Sequence, residues 1–249
     1  MKEPLSTNGP VRHQYMALFE ADRHEAMNRS KAFILLMSYY RCAMMEIETK
    51  FKVLNEEYSL VNDRNPIGTI KTRLKKPQSI MEKLDRQHFP KTLQSIEENL
   101  HDIAGVRVIC AFPEDVYTLA DAFLKQDDIT LIQKKDYIAN PKPNGYRSLH
   151  LIVSIPIFLS SGKREMRVEV QLRTIAMDFW ASLEHQLRYK KDAHFTPEME
   201  AELLKCAKMS ADLDMRMDRL RRSALLYRPQ GFAYDEDAPL APPENGSTR

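Results

Sequence analysis

Two neighbouring segments alternate apolar and polar residues with a period of two, and this pattern constrains the fold more than any other feature of the sequence. They are SLHLIVSI, residues 148–155, and residues 164–173, which contain MRVEVQLR. Successive side chains of a strand point to opposite faces of a sheet, so each segment presents one apolar face to a core. Ser160, Ser161 and Gly162 lie between the segments as a turn signal, which predicts an antiparallel hairpin.

The other face of this hairpin gathers polar side chains. With the turn at residues 161–162, His150 lies opposite Arg173 and Ser154 lies opposite Glu169. A register shifted by two residues would change these partners but keep the same residues on the face. The polar residues of this face are His150, Ser154, Glu169, Gln171 and Arg173. For any one of them alone, a plain solvent-facing side of an antiparallel sheet is the more common explanation.

Two further features favour a site for anions at this face. The loop KPNGYR, residues 142–147, leads into the hairpin with cations, a tyrosine and a glycine that permits a tight turn. The apolar strand VRVICAF, residues 106–112, contains one isolated cation, Arg107, which comes shortly after Asp102. An isolated charge in such a strand needs a carboxylate or a bound anion nearby, because burying it unpaired is costly.

The rest of the chain predicts helices on both sides of a small sheet. Residues 13–61 contain no proline or glycine, which favours one long helix or two in succession. A helix from Pro113 and a strand at 129–138 complete a βαβββ core. Helices at 175–189 and 196–225 follow, and this order of elements is typical of an α+β domain.

Composition and missing motifs exclude several classes of protein. A formal net charge of +2 gives no general field for nucleic acid, so no obligatory nucleic-acid partner is expected. No apolar run is long enough to cross a membrane, and no signal-peptide core is present. Cys42, Cys110 and Cys206 lack metal-binding spacing and indicate buried free thiols in a reducing cytoplasm. No Walker A or GxGxxG motif occurs, which argues against a P-loop or protein-kinase site.

Three stretches of the sequence, HDIAGVRVICAF, KPNGYRSLHL and VEVQLRTIAMDFWASLEH, resemble the RelA/SpoT synthetase domain. More narrowly, the chain resembles a single-domain small alarmone synthetase, a GTP pyrophosphokinase of the stringent response. The resemblance implies a nucleotidyltransferase-like α+β fold, with a mixed, largely antiparallel sheet of about five strands and long flanking N- and C-terminal helices. It also implies transfer of pyrophosphate from ATP to the 3′-hydroxyl of GTP or GDP, which gives pppGpp or ppGpp and AMP.

The resemblance also suggests a division of the chain. Residues 62–195 would be the synthetase catalytic core, preceded by a helical oligomerisation or packing region at 13–61 and followed by a C-terminal helix at 196–227. We expect the ends, residues 1–12 and 228–249, to be disordered.

The last helix carries a heptad seam between Met199 and Ala224, interrupted at Ser210. This seam needs a partner surface, and packing against the first helix of the same chain is one possibility. Small members of the family are commonly tetramers, so the resemblance implies a homotetramer formed through the flanking helices.

On the acceptor side, Tyr146 resembles the tyrosine that stacks on guanine, since a ring at a loop tip offers a face to any base. His150 and Lys142 resemble residues near the phosphates and sugar of the acceptor. Asp178 stands where many members carry asparagine, and either side chain accepts hydrogen bonds from the guanine edge. The implied GTP-binding residues are Lys135, Lys142, Tyr146, His150, Gln171 and Asp178.

On the donor side, the stretch RLKKPQSIMEKL resembles the family's ATP motif. The implied ATP-binding residues are Arg73, Lys75, Ser79, Lys83 and Arg107. Arg73 and Arg107 would sandwich adenine because planar guanidinium groups stack, and Lys75 and Lys83 would hold the triphosphate. Taken alone, this stretch is more often a solvated basic helix.

Asp102 and Glu169 resemble the two catalytic acids of the family, and the resemblance makes both of them ligands of Mg²⁺. Mg²⁺ commonly binds to one or two carboxylates together with substrate phosphates. Glu169 is also the candidate base for the attacking 3′-hydroxyl, and the sequence leaves the roles of base and metal ligand open.

Two other functions remain as alternatives. Some relatives act as toxins that pyrophosphorylate the 3′ end of tRNA, although the near-neutral charge argues against an RNA footprint. A catalytically inactive interaction module is the second, and the presence of both acids and Tyr146 argues against it. Residues 69–71 stand where product-stimulated members carry a Phe-x-Thr motif, and this departure argues against product activation.

Overall fold

The computed structural model describes residues 10–62, 64–189 and 195–226. In chain order the elements are α1 (Pro10–Asn62), β1 (Ile67–Leu74), α2 (Pro77–Arg86), α3 (Leu93–Asn99), β2 (Ala104–Cys110), α4 (Pro113–Leu124), β3 (Thr130–Asp136), β4 (Leu149–Leu159), β5 (Gly162–Thr174), α5 (Ile175–Tyr189) and α6 (Pro197–Leu226). The expected disordered ends lie outside the described residues, except that α1 already begins at Pro10.

The strands form one mixed sheet of five strands in the order β1-β2-β5-β4-β3. Only the central β2–β5 pair is parallel, and the other three pairs are antiparallel. This confirms the predicted α+β fold with a largely antiparallel sheet and long helices at both ends. The sequence pattern did not reveal β1, because only Ile67 of this edge strand is buried and no apolar alternation marks it.

The core lies on one face of the sheet, beneath the second half of α1 and helices α2 to α4. The predicted apolar faces of the hairpin are confirmed as part of it, since Met166, Val168, Val170 and Leu172 are at most 2% exposed. In the part of α1 from residue 30 onward, the buried residues recur at helical spacing: Leu36, Tyr40, Ala43, Met44, Ile47, Phe51 and Leu54. The sheet's other face is therefore free to carry polar side chains.

The hairpin register is two residues away from the expected one. Leu159 pairs with Gly162, so the turn consists of Ser160 and Ser161 alone. His150 accordingly lies opposite Gln171 rather than Arg173. Gly162 begins the returning strand with φ +121°, a backbone conformation that suits glycine, and this allows the shorter turn. The set of residues on the polar face is unchanged.

Helix α6 does not bury its predicted heptad seam within the chain. Met199, Leu213, Met217 and Leu220 are between 49% and 63% exposed. The helix packs on α5 and α4 through small residues, including the buried Ala207 and Ala211. The apolar seam is thus available to a partner surface.

The three cysteines differ in their exposure to solvent. All three cysteines are free, but only Cys110 is buried; Cys42 is half-buried and Cys206 is exposed, because it lies on the outer side of α6. The expectation of three buried thiols is therefore wrong for Cys206.

Among the described residues, no helix has the length and apolar character needed to span a bilayer.

Candidate active site

The face of the sheet opposite the core carries two adjacent rows of side chains that run across all five strands. In the first row, each residue is the lateral neighbour of the next: Lys71, Arg107, Gln171, His150 and Lys135. The second row has the same arrangement: Arg73, Gly105, Glu169, Ile152 and Gln133. Residues far apart in the sequence are therefore brought side by side by strand register alone.

A cavity of about 480 Å³ opens onto these rows between β1, β2 and β5. It is lined by Lys71, Thr72, Arg73, Lys75, Asp102, Gly105, Val106, Arg107, Glu169 and Gln171. The structure thus brings both predicted acids together with three of the predicted ATP-binding residues. Gly105 has no side chain, so the floor of the cavity stays open between Arg73 and Glu169, its neighbours on the adjacent strands.

Asp102 lies two residues before β2 and is held by two lysines. Lys75 Nζ donates to its Oδ2 at 2.9 Å, and Lys83 Nζ lies 2.7 Å from its Oδ1. Lys75 is positioned by its backbone N–H, which donates to the carbonyl of Ile103 at 2.8 Å. Burial alone would raise the pKa of Asp102, but the hydrogen bonds from Lys83 and Lys75 outweigh it, so the pKa lies below its usual value.

Glu169 lies in the middle of β5, in the same cavity as Asp102. Its Oε1 is 3.0 Å from His150 Nδ1, and its Oε2 accepts from Gln171 Nε2 at 3.0 Å. Burial opposes ionisation, yet the hydrogen bonds from His150 and Gln171 lower the pKa of Glu169 below its usual value. The nearby charge of Asp102 acts in the opposite direction, as expected of two carboxylates that face one cavity.

Tyr146 lies on the acceptor side in a cluster of aromatic and cationic groups. Its hydroxyl is 2.7 Å from His150 Nε2 and accepts from Arg173 Nη2 at 2.5 Å. Lys142 Nζ lies 4.9 Å from the Tyr146 ring centroid and 4.7 Å from that of Tyr137. The structure therefore brings together Lys142, Tyr146 and His150, three of the predicted GTP-binding residues.

The loop that carries Tyr146 is held in place by α6. Gly145 has φ +89°, and a Cβ at this position would clash with the Cβ of Ala207. Trp180 of α5 packs beside Tyr146 and Ala207, and its Nε1 donates to the carbonyl of Leu203 at 3.0 Å. The glycine is required both by the backbone conformation and by the close approach of the helix.

The isolated cation of β2 has a carboxylate partner, as expected, but the partner is not Asp102. Arg107 Nη1 donates to Asp178 Oδ1 at 3.1 Å, and Arg107 Nε donates to Gln171 Oε1 at 3.4 Å. Asp178 lies in the first turn of α5, where an acid is favoured by the helix dipole. Arg73 is exposed on the neighbouring strand and lines the same cavity as Arg107.

The remaining predicted residues lie at the edges of the site. Ser79 is half-buried, one turn before Lys83 on α2, so both side chains project from one face of that helix. Lys135 is exposed on the edge strand β3, beside His150. Arg147, expected at the rim of the polar face, instead lies with Asp214 in a small pocket beneath α6.

Sequence reasoning missed Lys71, Tyr137 and the helix α6 as parts of the site, and it gave Arg173 no role. Lys71 and Arg73 alternate with threonine and isoleucine in TIKTR, a pattern that could have revealed both as one face of a strand. The contact between Gly145 and Ala207 joins segments far apart in the chain and leaves no local signal.

The carboxylate oxygens in the cavity suit a magnesium ion that also binds the phosphates of a substrate. Within residues 10–62, 64–189 and 195–226, no cluster of three or more His, Cys, Asp or Glu could hold a metal by itself. The cavity instead offers two carboxylates, Asp102 and Glu169, which are the hard oxygen ligands that Mg²⁺ takes alongside phosphates. These two side chains fit such an ion better than they fit a structural metal.

Comparison with known proteins gives a consistent set of relatives. Residues 72–194 match the family described as a region found in RelA / SpoT proteins. The GTP pyrophosphokinase YwaC of Bacillus subtilis is 42% identical over 178 residues, which are 72% of this chain and 85% of that protein.

Solved structures agree with the sequence comparison. Small alarmone synthetase 1 from Bacillus subtilis, bound to its product pppGpp, superposes with a TM-score of 0.68 at 36% identity, covering 74% of this chain and 93% of that one. Small alarmone synthetase 2 from the same organism gives a TM-score of 0.68 at 40% identity, with coverage of 75% and 96%.

Proposed function

The chain belongs to the RelA/SpoT family, and we propose that it is a GTP pyrophosphokinase that transfers a pyrophosphoryl group from ATP to the 3′-hydroxyl of GTP or GDP. The products are AMP and either pppGpp or ppGpp, and the latter two are the alarmone nucleotides of the stringent response. Similarity to the GTP pyrophosphokinase YwaC over most of that protein's length supports this function, since the matched region covers 85% of YwaC.

The observation that carries the proposal is that Asp102 and Glu169 face one cavity together with Arg73, Lys75 and Arg107. Two nucleoside polyphosphates bring many negative charges into one cleft, so a transferase of this kind needs cations around its carboxylates. The same cavity provides both, on neighbouring strands.

The transfer itself requires positioning more than covalent help from the protein. The acceptor 3′-oxygen attacks the β-phosphorus of ATP, the bond from that phosphorus to the α–β bridging oxygen breaks, and AMP leaves. Glu169 is the candidate base that takes the 3′-hydroxyl proton, because its carboxylate is ionised at neutral pH and lies in the same cavity as the donor-subsite residues Arg73, Lys75 and Arg107. His150 and Gln171 hold this carboxylate from both of its oxygens.

Asp102 and Glu169 are the residues that would hold Mg²⁺ in the site. When bound, such an ion neutralises phosphate charge that develops during the transfer. Lys75 and Lys83, which pair with Asp102 in this structure, would bind the same phosphates when the donor enters the site.

The substrates divide the site into two subsites. The donor subsite comprises Arg73, Lys75, Ser79, Lys83 and Arg107. Arg73 and Arg107 lie on adjacent strands and line one cavity, which supports stacking of adenine between their guanidinium groups. The acceptor subsite comprises Lys142, Tyr146, His150 and Gln171, with Lys135 at its edge. Tyr146 supplies a ring for the guanine base.

We further propose that the enzyme is a cytoplasmic homo-oligomer, with four copies as the expected state. The exposed seam of α6, which includes Leu213, Met217 and Leu220, supports an interface with a second copy. A monomeric mass by light scattering would contradict this assembly.

Incubation with ATP labelled in its γ-phosphate tests the proposed acceptor. With GTP and bulk tRNA both present, the label should appear in a guanosine nucleotide. Label found on RNA alone would replace this function by the tRNA-modifying activity of the same family.

A further inference from the structure

Asp178 lies at the centre of a network of three cations. Its Oδ2 accepts from Lys71 Nζ at 2.9 Å, and its Oδ1 accepts from Arg107 Nη1 at 3.1 Å and from Arg173 Nη1 at 3.3 Å. The side chain is only 9% exposed. Burial would raise the pKa of Asp178, but the Lys71 hydrogen bond and the charges of Arg107 and Arg173 lower it below its usual value.

The backbone fixes where this carboxylate lies. Thr174 ends β5, and its hydroxyl accepts from the backbone N–H of Met177 at 3.2 Å, which starts α5 directly from the strand. Asp178 in the first turn is thereby directed over the sheet, between the strand of Arg107 and the strand of Arg173. In this position one carboxylate contacts side chains of both strands, Arg107 of β2 and Arg173 of β5.

On the donor side, Asp178 restrains two residues that line the cavity, Lys71 and Arg107. Arg107 is 30% exposed and can rotate toward a ligand, since its other protein contact is a long hydrogen bond of 3.4 Å to Gln171. Stacking of its guanidinium on an adenine ring would draw it away from Asp178 Oδ1.

On the acceptor side, Asp178 restrains Arg173, which is 4% exposed. Arg173 Nη2 donates to the Tyr146 hydroxyl at 2.5 Å and to Gln171 Oε1 at 2.9 Å, and its guanidinium carbon lies 5.0 Å from the Tyr146 ring centroid. The position of Arg173 therefore sets the position of the ring and the amide that face the acceptor.

We propose that Asp178 is a positioning residue that couples the donor and acceptor subsites by sharing one carboxylate oxygen between Arg107 and Arg173. The proposal rests on the proposed function, because it assumes that ATP and GTP occupy these subsites. When ATP draws Arg107 away, Asp178 Oδ1 accepts a hydrogen bond from Arg173 alone. Arg173 is then held more firmly, and so is the Tyr146 ring whose hydroxyl it contacts. Donor binding thus tightens acceptor binding, and linkage requires the reverse effect to be equal.

Both Asp178 oxygens already accept from protein cations, so this role differs from direct recognition of the guanine edge. A carboxylate is needed for it, since an amide would offer one acceptor oxygen and turn an N–H group toward a cation.

Titration calorimetry with α,β-methylene ATP and GTP in Mg²⁺ buffer tests the coupling. In the wild type, GTP should bind about fivefold more tightly when the analogue is saturating. In Asp178→Asn, the GTP affinity should be the same with and without the analogue. Glu165→Gln is the matched control, because this exposed carboxylate on β5 pairs with Lys163 and Ser154, and it should keep the wild-type difference.

If Asp178→Asn does not fold, Arg107→Gln breaks the same link at a more exposed residue. Because Arg107 also belongs to the donor subsite, this variant is measured at an analogue concentration set from its own dissociation constant, and at saturation it should also lose the difference. Equal GTP affinities in the wild type, or a difference that survives in Asp178→Asn, would overturn the coupling. Failure of the wild type to form AMP from ATP and GTP would instead overturn the proposed function, so the two failures are distinguishable.

Discussion

His150 links Glu169 to Tyr146, with Nδ1 3.0 Å from Glu169 Oε1 and Nε2 2.7 Å from the Tyr146 hydroxyl. The carboxylate accepts only, so the proton of a neutral imidazole belongs on Nδ1 and Nε2 accepts from the tyrosine. The tyrosine hydroxyl in turn accepts from Arg173. One directed chain of hydrogen bonds therefore connects the candidate base to the ring proposed to bind guanine.

Glu169→Gln should reduce the rate of AMP formation at saturating ATP and GTP by at least about 100-fold, because it removes the candidate base and one metal ligand. The folded structure should persist, since glutamine retains the side chain's shape. Glu165→Gln, on the exposed part of the same strand, should keep close to the wild-type rate. Similar rates for Glu169→Gln and the wild type would show that the site is assigned to the wrong residues.

Tyr146→Ala should weaken GTP binding by about 5- to 150-fold, which corresponds to the roughly 1–3 kcal/mol of one base stacked on an aromatic ring. Tyr146→Phe keeps the ring and should retain most of the affinity. Calorimetry with GTP measures both, and binding of the ATP analogue without GTP serves as the control that should change little. Equal losses in the alanine and phenylalanine variants would assign the hydroxyl, and not the ring, to the acceptor.

Gly145→Ala should lower the free energy of unfolding by about 2 kcal/mol or more, because a side chain is forced into a strained backbone conformation and against Ala207. Gly162→Ala is the matched comparison, since φ is also positive there but no atom lies within 4 Å of the added Cβ. Denaturant unfolding should show the larger loss for Gly145→Ala, and only this variant should raise the KM for GTP. A larger loss for Gly162→Ala would contradict the role of α6 as support for the loop.

The raised pKa of Asp214 should make the free energy of unfolding depend on pH. Burial raises its pKa, and the hydrogen bond from Thr174 and the charge of Arg147 only partly oppose this, so the folded chain holds the proton more tightly than the unfolded chain does. Stability contributed by this group is therefore present below its unfolded pKa and is lost as pH rises through the raised folded value.

Asp214→Asn cannot ionise, so it should unfold at a higher temperature than the wild type at pH 8 and at a similar temperature at pH 4. Asp212→Asn, on the exposed side of the same helix, should show no such gain. Thermal unfolding at both pH values measures the difference. A wild type more stable than Asp214→Asn at pH 8 would reverse the assigned direction.

The fold and most of the site could be predicted from strand periodicity and ordered motifs. Alternation in residues 148–155 and 164–173 placed His150, Glu169 and Gln171 on one face, and the register shift of two left that face intact because side chains alternate with a period of two. The exact pairing could not be predicted, since it depends on whether the turn contains two residues or more.

Other parts of the site depend on contacts that leave no local pattern. The pairing of Arg107 with Asp178 requires the direct passage from β5 into α5, so sequence proximity suggested Asp102 instead. The support of Gly145 by Ala207 joins a loop to a distant helix. Such contacts are set by tertiary packing, which single-sequence patterns do not encode.

Anion-exchange chromatography of a reaction with ATP, GTP and Mg²⁺ tests the central claim most directly, because pyrophosphoryl transfer forms AMP and pppGpp in equal amounts. The wild type should produce both at this ratio, and Glu169→Gln should produce neither in the same time. Release of ADP and inorganic phosphate, or AMP without a matching guanosine product, would contradict pyrophosphoryl transfer at this site.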